Sequence, residues 1–269
     1  MGTLWLFLAR EWTDTWRNSR IVPLFFVMPI IMVALPLTVA LLAPTIAHDV
    51  QLRQDPSTLA LLRVVTRSPE FAGLPLAAAL AGYLLRATLG VYLLMPIAMA
   101  STAAAFSIVG EKQQHTLEPI LATPLTDRQF LLGKLVACTL PTVCATTAAG
   151  LLAIVGVDVV FATSDLPAPL PDRFWSLTLL VLSPALTVAV ALVTMRLSAR
   201  STDPQATVQT SALAIIPAFL LIVAVFGRVL TISFPALLAA CGAVLLVDVA
   251  LFRMNVARFR REEILTTWK

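Results

Sequence analysis

The chain has 269 residues, of which 59% are hydrophobic and 13% charged. A soluble domain keeps about a quarter of its residues charged, so this chain has too little polar surface to clothe a water-soluble globule, and a soluble enzyme or binding module is excluded. The formal charge of +4 lies mostly in short connections between apolar runs, a pattern of membrane orientation; no aromatic-interleaved basic patch of the nucleic-acid type is present.

Residues 1–20 open with a stretch in which Trp5, Leu8, Trp12 and Trp16 recur at helical spacing while Arg10, Asp14 and Arg17 fall mainly on the other side. This predicts an amphipathic helix lying in the membrane interface, with tryptophan at headgroup level. The first span runs over about 21–43 and contains Pro23, Pro29 and Pro36, which a bundle tolerates because neighbours satisfy the freed carbonyls.

Residues 44–86 form a mixed extracytoplasmic segment. Asp55-Pro56 and Ser68-Pro69 read as N-caps followed by proline at the first helical position, so short helices outside the membrane are expected there. The apolar stretch from Pro75 to Val109 is too long for one untilted span. The span proper is expected at 87–109, with the preceding residues of 75–86 at the surface or dipping inward. After the polar segment 110–128, a third span runs over about 130–157. A connection holding Pro167, Pro169 and Pro171 leads to a fourth at 174–195, a fifth at 206–226 and a sixth at 231–252, and residues 253–269 form a polar tail. The expected fold class is an all-α integral membrane protein, one domain over 1–269 with about six transmembrane helices.

Six spans place both termini on one side of the membrane. The N-terminus, 110–134, 196–205 and the tail together hold 13 Lys and Arg, and the opposite side holds six. The positive-inside bias puts both ends in the cytoplasm.

Motifs for catalysis are missing. The one Gly-Lys pair, Gly133-Lys134, is followed by leucine and lacks the upstream glycine of a P-loop, and no metalloprotease, hydrolase-elbow or paired-cysteine pattern occurs. Cys138, Cys144 and Cys241 all lie in apolar runs and read as small buried thiols. Asp248 is the one clear acid inside a span, and an acid there is a candidate intramembrane polar site by default. With Arg253 five residues on, it reads first as an interfacial, snorkelling carboxylate.

The most informative segment is GEKQQHTLEPILATPLTDRQFLLGK, residues 110–134. Leu117, Ile120, Leu121 and Leu125 make an apolar ridge on a short helix that Pro124 stops. Thr126 with Gln129 forms a capping box that starts the next helix. A short helix with apolar knobs, set among charges, suits docking to a cytosolic partner.

This segment resembles the signature of ABC-2-type permeases, an E-x-x-x-G-T-L-E-x-L-L-A-T-P-like stretch followed by L-L-G-K. The matching residues are Glu111, Thr116, Leu117, Glu118, Leu121, Ala122, Thr123, Pro124 and Leu131-Leu132-Gly133-Lys134, with His115 where the family has glycine. Residues 196–205, the Ile216-Pro217 pair and the ending 259–266 are similar to further family stretches. The resemblance implies a six-span membrane subunit of a prokaryotic ABC exporter in the cytoplasmic membrane. It implies two permeases, alike or different, lining the path. It also implies a coupling helix, with Glu111, Thr116, Leu117, Glu118, Leu121, Thr123, Pro124 and Leu125 meeting separate cytosolic ATPase subunits. ATP and magnesium would sit on those partners, and no cofactor on this chain. A secondary transporter is the alternative, disfavoured by the scarcity of midplane charge; a membrane-embedded enzyme or scaffold is another. The cargo is not legible.

Overall fold

The computed structural model describes residues 2–19, 21–48, 59, 63, 65, 71, 73–113, 126–164, 166–199, 201–213 and 234–258. Among these there is no strand; the regular elements are helices. They are α1 (Gly2–Arg17), α2 (Val22–His48), α3 (Leu76–Gln113), α4 (Asp127–Ala162), α5 (Arg173–Leu177), a π-helical turn (Thr178–Leu182), α6 (Ser183–Ser198) and α7 (Phe234–Arg258). Residues 204–213 are also helical.

Among the described residues five helices are long and apolar enough to cross a membrane: α2, α3, α4, the α5–α6 unit and α7. The expected fifth span, 206–226, falls largely outside the described residues, as do the Asp55-Pro56 and Ser68-Pro69 caps. Residues 76–86, expected at the surface or dipping inward, are continuous with the span that follows and form the first turns of α3. That helix runs unbroken for 38 residues. The stretch does not separate because Gly82, Arg86 and Gly90 each find a place in the bundle: Gly82 lies against Phe71 and Pro169, and Arg86 is paired.

Burial sorts the helices into two classes. In α3 and the α5–α6 unit 61% of the most apolar window is buried; in α2, α4 and α7 the figures are 22%, 28% and 17%. The first pair is the interior of the bundle. The other three turn apolar faces outward, with Phe26, Ile30 and Leu42 on α2, Leu151, Leu152 and Val155 on α4, and Leu245, Leu246 and Val249 on α7 exposed. A surface of that composition belongs in an apolar medium such as lipid and not in water. One core layer joins Met32, Leu89, Tyr92, Phe161, Trp175 and Leu179 from five elements; a second joins Ala104, Ile108, Leu131, Cys138, Leu192 and Met195.

Two local features set how closely the helices approach. A Cβ on Gly150 of α4 would lie 2.4 Å from Leu179 Cδ1 and 2.7 Å from the Tyr92 hydroxyl, so only glycine lets α3, α4 and the π turn meet there. The π turn itself follows from Pro184, which has no N–H to give the preceding turn. The ladder widens, and the Ser183 N–H reaches back to the Thr178 carbonyl.

Polar anchors mark the two ends of the bundle. At one end, Arg86 on α3 pairs with Asp172 and stacks between the rings of Phe71 and Phe174, 4.7 and 4.4 Å from their centroids. Asp172 is the N-cap residue of α5, but its side chain makes no capping bond; its carboxylate serves Arg86. At the other end of α3 stand Glu111 and Lys112. Arg86 and Lys112 are separated by about 39 Å of helix at about 1.5 Å per residue, close to a bilayer core plus part of its headgroup layers.

Candidate functional site

The Lys112 end of the bundle holds a buried polar platform centred on Lys134, two turns into α4. Its side chain is fully buried. The ammonium donates to both oxygens of Glu11 on α1, at 3.1 and 3.2 Å, and to the Ser107 carbonyl at 3.0 Å on α3. It lies 2.8 Å from Glu111 Oε2. An isolated buried ammonium is too costly to persist, whereas one ringed by carboxylates and a carbonyl is not. Three helices are pinned together by a single nitrogen.

The residues around it explain the local sequence. In Leu131-Leu132-Gly133-Lys134, Leu131 joins the second core layer, Leu132 is exposed, Gly133 is buried and Lys134 enters the ion cluster. The expected capping box is present: the Gln129 N–H donates to Thr126 Oγ1 at 3.3 Å, and the Thr126 N–H donates to Gln129 Oε1 at 3.0 Å. It starts α4 where the sequence predicts and fixes the rotation that turns Lys134 inward.

Lys112 makes a second anchor. Its ammonium donates to the carbonyls of Ser198, Ala199 and Ser201, at 3.1, 2.6 and 3.3 Å, so it caps the end of α6. A cation on free C-terminal carbonyls is the favourable polarity. Gln113 Nε2 donates to the Thr202 carbonyl at 3.0 Å. Asp203 caps the following helix by accepting from the backbone of Gln205 and Ala206. Lys112 and Gln113 thus meet the link 196–205, to which nothing but charge relates them in the sequence.

The amphipathic α1 lies on this surface. Trp12 and Trp16 are exposed, Arg10 and Asp14 form an exposed ion pair, and Glu11 is buried against the bundle. A polar cleft of about 590 Å³ opens between α1 and the end of α3, with Arg10, Glu11, Asp14, Arg17, Glu111 and Gln113 among its lining residues.

Of the coupling residues expected from the sequence, Glu111 is in the platform. Thr116, Leu117, Glu118, Leu121, Thr123, Pro124 and Leu125 lie outside the described residues. Glu11 and Lys112 were missed, and Lys134 was seen only as part of a motif. The signal for Glu11 was faint: an acid beside the tryptophan stripe of α1 rather than opposite it.

A family model described as ABC-2 family transporter protein matches residues 78–245. The chain belongs to the ABC-2 family. More than half of its length is matched, from the first turns of α3 into α7, so Glu111, Lys134 and the segment between them fall inside the match and Glu11 outside it. No curated protein matches the chain. This ABC-2 protein is therefore a multi-pass permease component of an ABC transporter and not itself the ATPase.

Asp248 stands apart from the platform and corrects an expectation. It does not snorkel to the interface: its residue is 8% exposed, and its Oδ1 is buried with no hydrogen-bond partner. The buried stripe of α7 reads Leu237, Cys241, Asp248 and Asn255, with Leu251 and Phe252 partly buried beside it. The cysteines also divide: Cys138 and Cys241 are buried, whereas Cys144 is exposed.

Proposed function

We propose that the chain is the permease subunit of an ATP-driven exporter in a prokaryotic cytoplasmic membrane. It works as one of a pair of permeases and engages two separate cytosolic ATPase subunits through residues 116–125. The observation that carries this reading is the Lys134 cluster. It ties Glu111, which precedes that segment, to Lys134, which follows it, and both to α1, so the chain is anchored on either side of the segment. A docking element needs such an anchored base, because a push from the ATPase is otherwise absorbed by the segment itself. Lys112 and Gln113 extend the base to 198–202. Closure of the ATPases on ATP would move the base as one body, and the long helices α3 and α4 would carry that motion across the membrane.

Within this reading Leu117 and Leu121 are the apolar anchors and Glu118 a charged contact. Burying one leucine is worth about 1.5–3 kcal/mol, and such anchors can dominate an interface. The test is co-purification of Leu121→Asp with the ATPase, with the mass of the complex and its ATP turnover measured. The expected result is loss of the ATPase from a permease that is still folded, and two permease chains in the wild-type complex. Full ATPase binding with normal turnover by Leu121→Asp would remove residues 116–125 as the docking element.

A further inference from the structure

Asp248 is a buried acid that the coupling reading leaves unused, and its depth can be worked out from contacts at both ends of α7. The Phe234 ring meets the Phe174 ring, with centroids 5.9 Å apart, near the Arg86 end. Asn255 Nδ2 donates to the Leu192 carbonyl at 3.0 Å toward the other end. The helices α6 and α7 therefore run parallel. Ser198 is level with Lys112, which binds its carbonyl. With a rise of about 1.5 Å per residue, Leu192 is about 9 Å from Ser198, and Asp248 is about 10 Å beyond Asn255; Asp248 sits about 20 Å from the Lys112 layer, near the middle of the roughly 39 Å between the polar ends.

A carboxylate at that depth needs a positive partner, and among the described residues none is hydrogen-bonded to its Oδ1; Arg253, five residues on along the same helix, is exposed. Among the described elements, those packed most closely on α7 are α4, α5, the π turn and α6. Their charged residues are Asp127, Arg128, Lys134 and Asp158 on α4, Arg173 on α5 and Arg196 on α6, all toward the ends of their helices. In the whole sequence the stretch from Ala206 to Gly227 contains no Lys or Arg, and neither does that from Val229 to Phe252. Among the described residues Asp248 Oδ1 is thus left without a counter-charge.

We propose that Asp248 is an intramembrane binding site for a monovalent cation: a proton, an alkali-metal ion or the ammonium group of a small cargo. The cation neutralises the carboxylate while α6 and α7 are packed together and leaves when their seam opens. Oδ1, sealed from solvent and without a donor, is the atom that receives it. The site is independent of residues 116–125, so it stands or falls separately from the docking reading.

The experiment uses the full-length permease in native membrane vesicles, treated with the apolar reagent dicyclohexylcarbodiimide and mapped by peptide mass. The reagent attacks a protonated carboxyl in apolar surroundings. At neutral pH without alkali metal, Asp248 is expected to be labelled, and Asp248→Asn to lose that label. Labelling suppressed by sodium or potassium identifies a metal ion, and labelling suppressed by methylammonium an ammonium group. Suppression by alkaline pH alone identifies a proton. The protecting cation should also raise the thermal midpoint of the wild-type protein and leave that of Asp248→Asn unmoved. Should the variant fail to fold, protection of the wild-type label decides the matter. An unlabelled Asp248, or labelling that neither cations nor pH alter, would overturn the proposal.

Discussion

Lys134 shows how much depends on one buried charge. With its ammonium removed, Glu11 and Glu111 would be left as two largely buried carboxylates without their shared cation. Breaking a buried ion pair from one side costs about 3–5 kcal/mol. Lys134→Met should therefore lower the thermal midpoint sharply, as read by fluorescence-detected size exclusion on a heated sample. Adding Glu11→Gln and Glu111→Gln to the same chain should recover most of the loss, because no uncompensated charge then remains. Failure of the triple variant to recover would mean that packing around the lysine stem, and not charge balance, holds the cluster. The sequence placed Glu111 and Lys134 in one motif, but it held no sign that they touch, because contact between residues 23 positions apart is set by how α3 and α4 cross.

At the scale of the element, neighbouring positions on α4 answer to opposite constraints. Gly150 is the crossing point with α3 and the π turn. A valine there should cost about 1–3 kcal/mol of overpacking, measured as a lower unfolding midpoint in detergent. Gly110, with nothing within 4 Å of an added Cβ, should accept alanine without a comparable loss. Leu151, one residue on, is 52% exposed on the lipid-facing surface. Leu151→Asp should fail at insertion, since a central acid costs about 2.5–3.5 kcal/mol, and the variant should appear as reduced protein in the membrane fraction. Periodicity could not separate these positions. An apolar run in a membrane helix reads alike toward lipid and toward protein, because both are equally apolar partners.

For the whole molecule, the charge asymmetry and the two polar ends make a joint prediction. Arg86 and Arg173 mark the end with few Lys and Arg, and Lys112, Lys134 and Arg196 mark the rich end. On a background without Cys138, Cys144 and Cys241, a single cysteine at Gln54 or Ser164 should react with a membrane-impermeant maleimide in intact cells. One at Gln113 or Thr267 should react only after permeabilisation. The reverse pattern would invert the molecule and place residues 116–125 out of reach of any cytosolic ATPase.

The sequence by itself determined the all-α membrane class, the capping box at Thr126 and the family. These follow from composition, run length and local motifs, which act over a few residues and leave their mark on adjacent letters. Only the tertiary structure decided that residues 76–86 belong to α3, that Glu11 reaches Lys134, that Lys112 caps α6 and that Asp248 lies deep in the bundle. Each is a relation between helices distant in the chain. A charge near a helix end can turn toward water or toward a neighbour at similar local cost, and the crossing of the helices makes the choice.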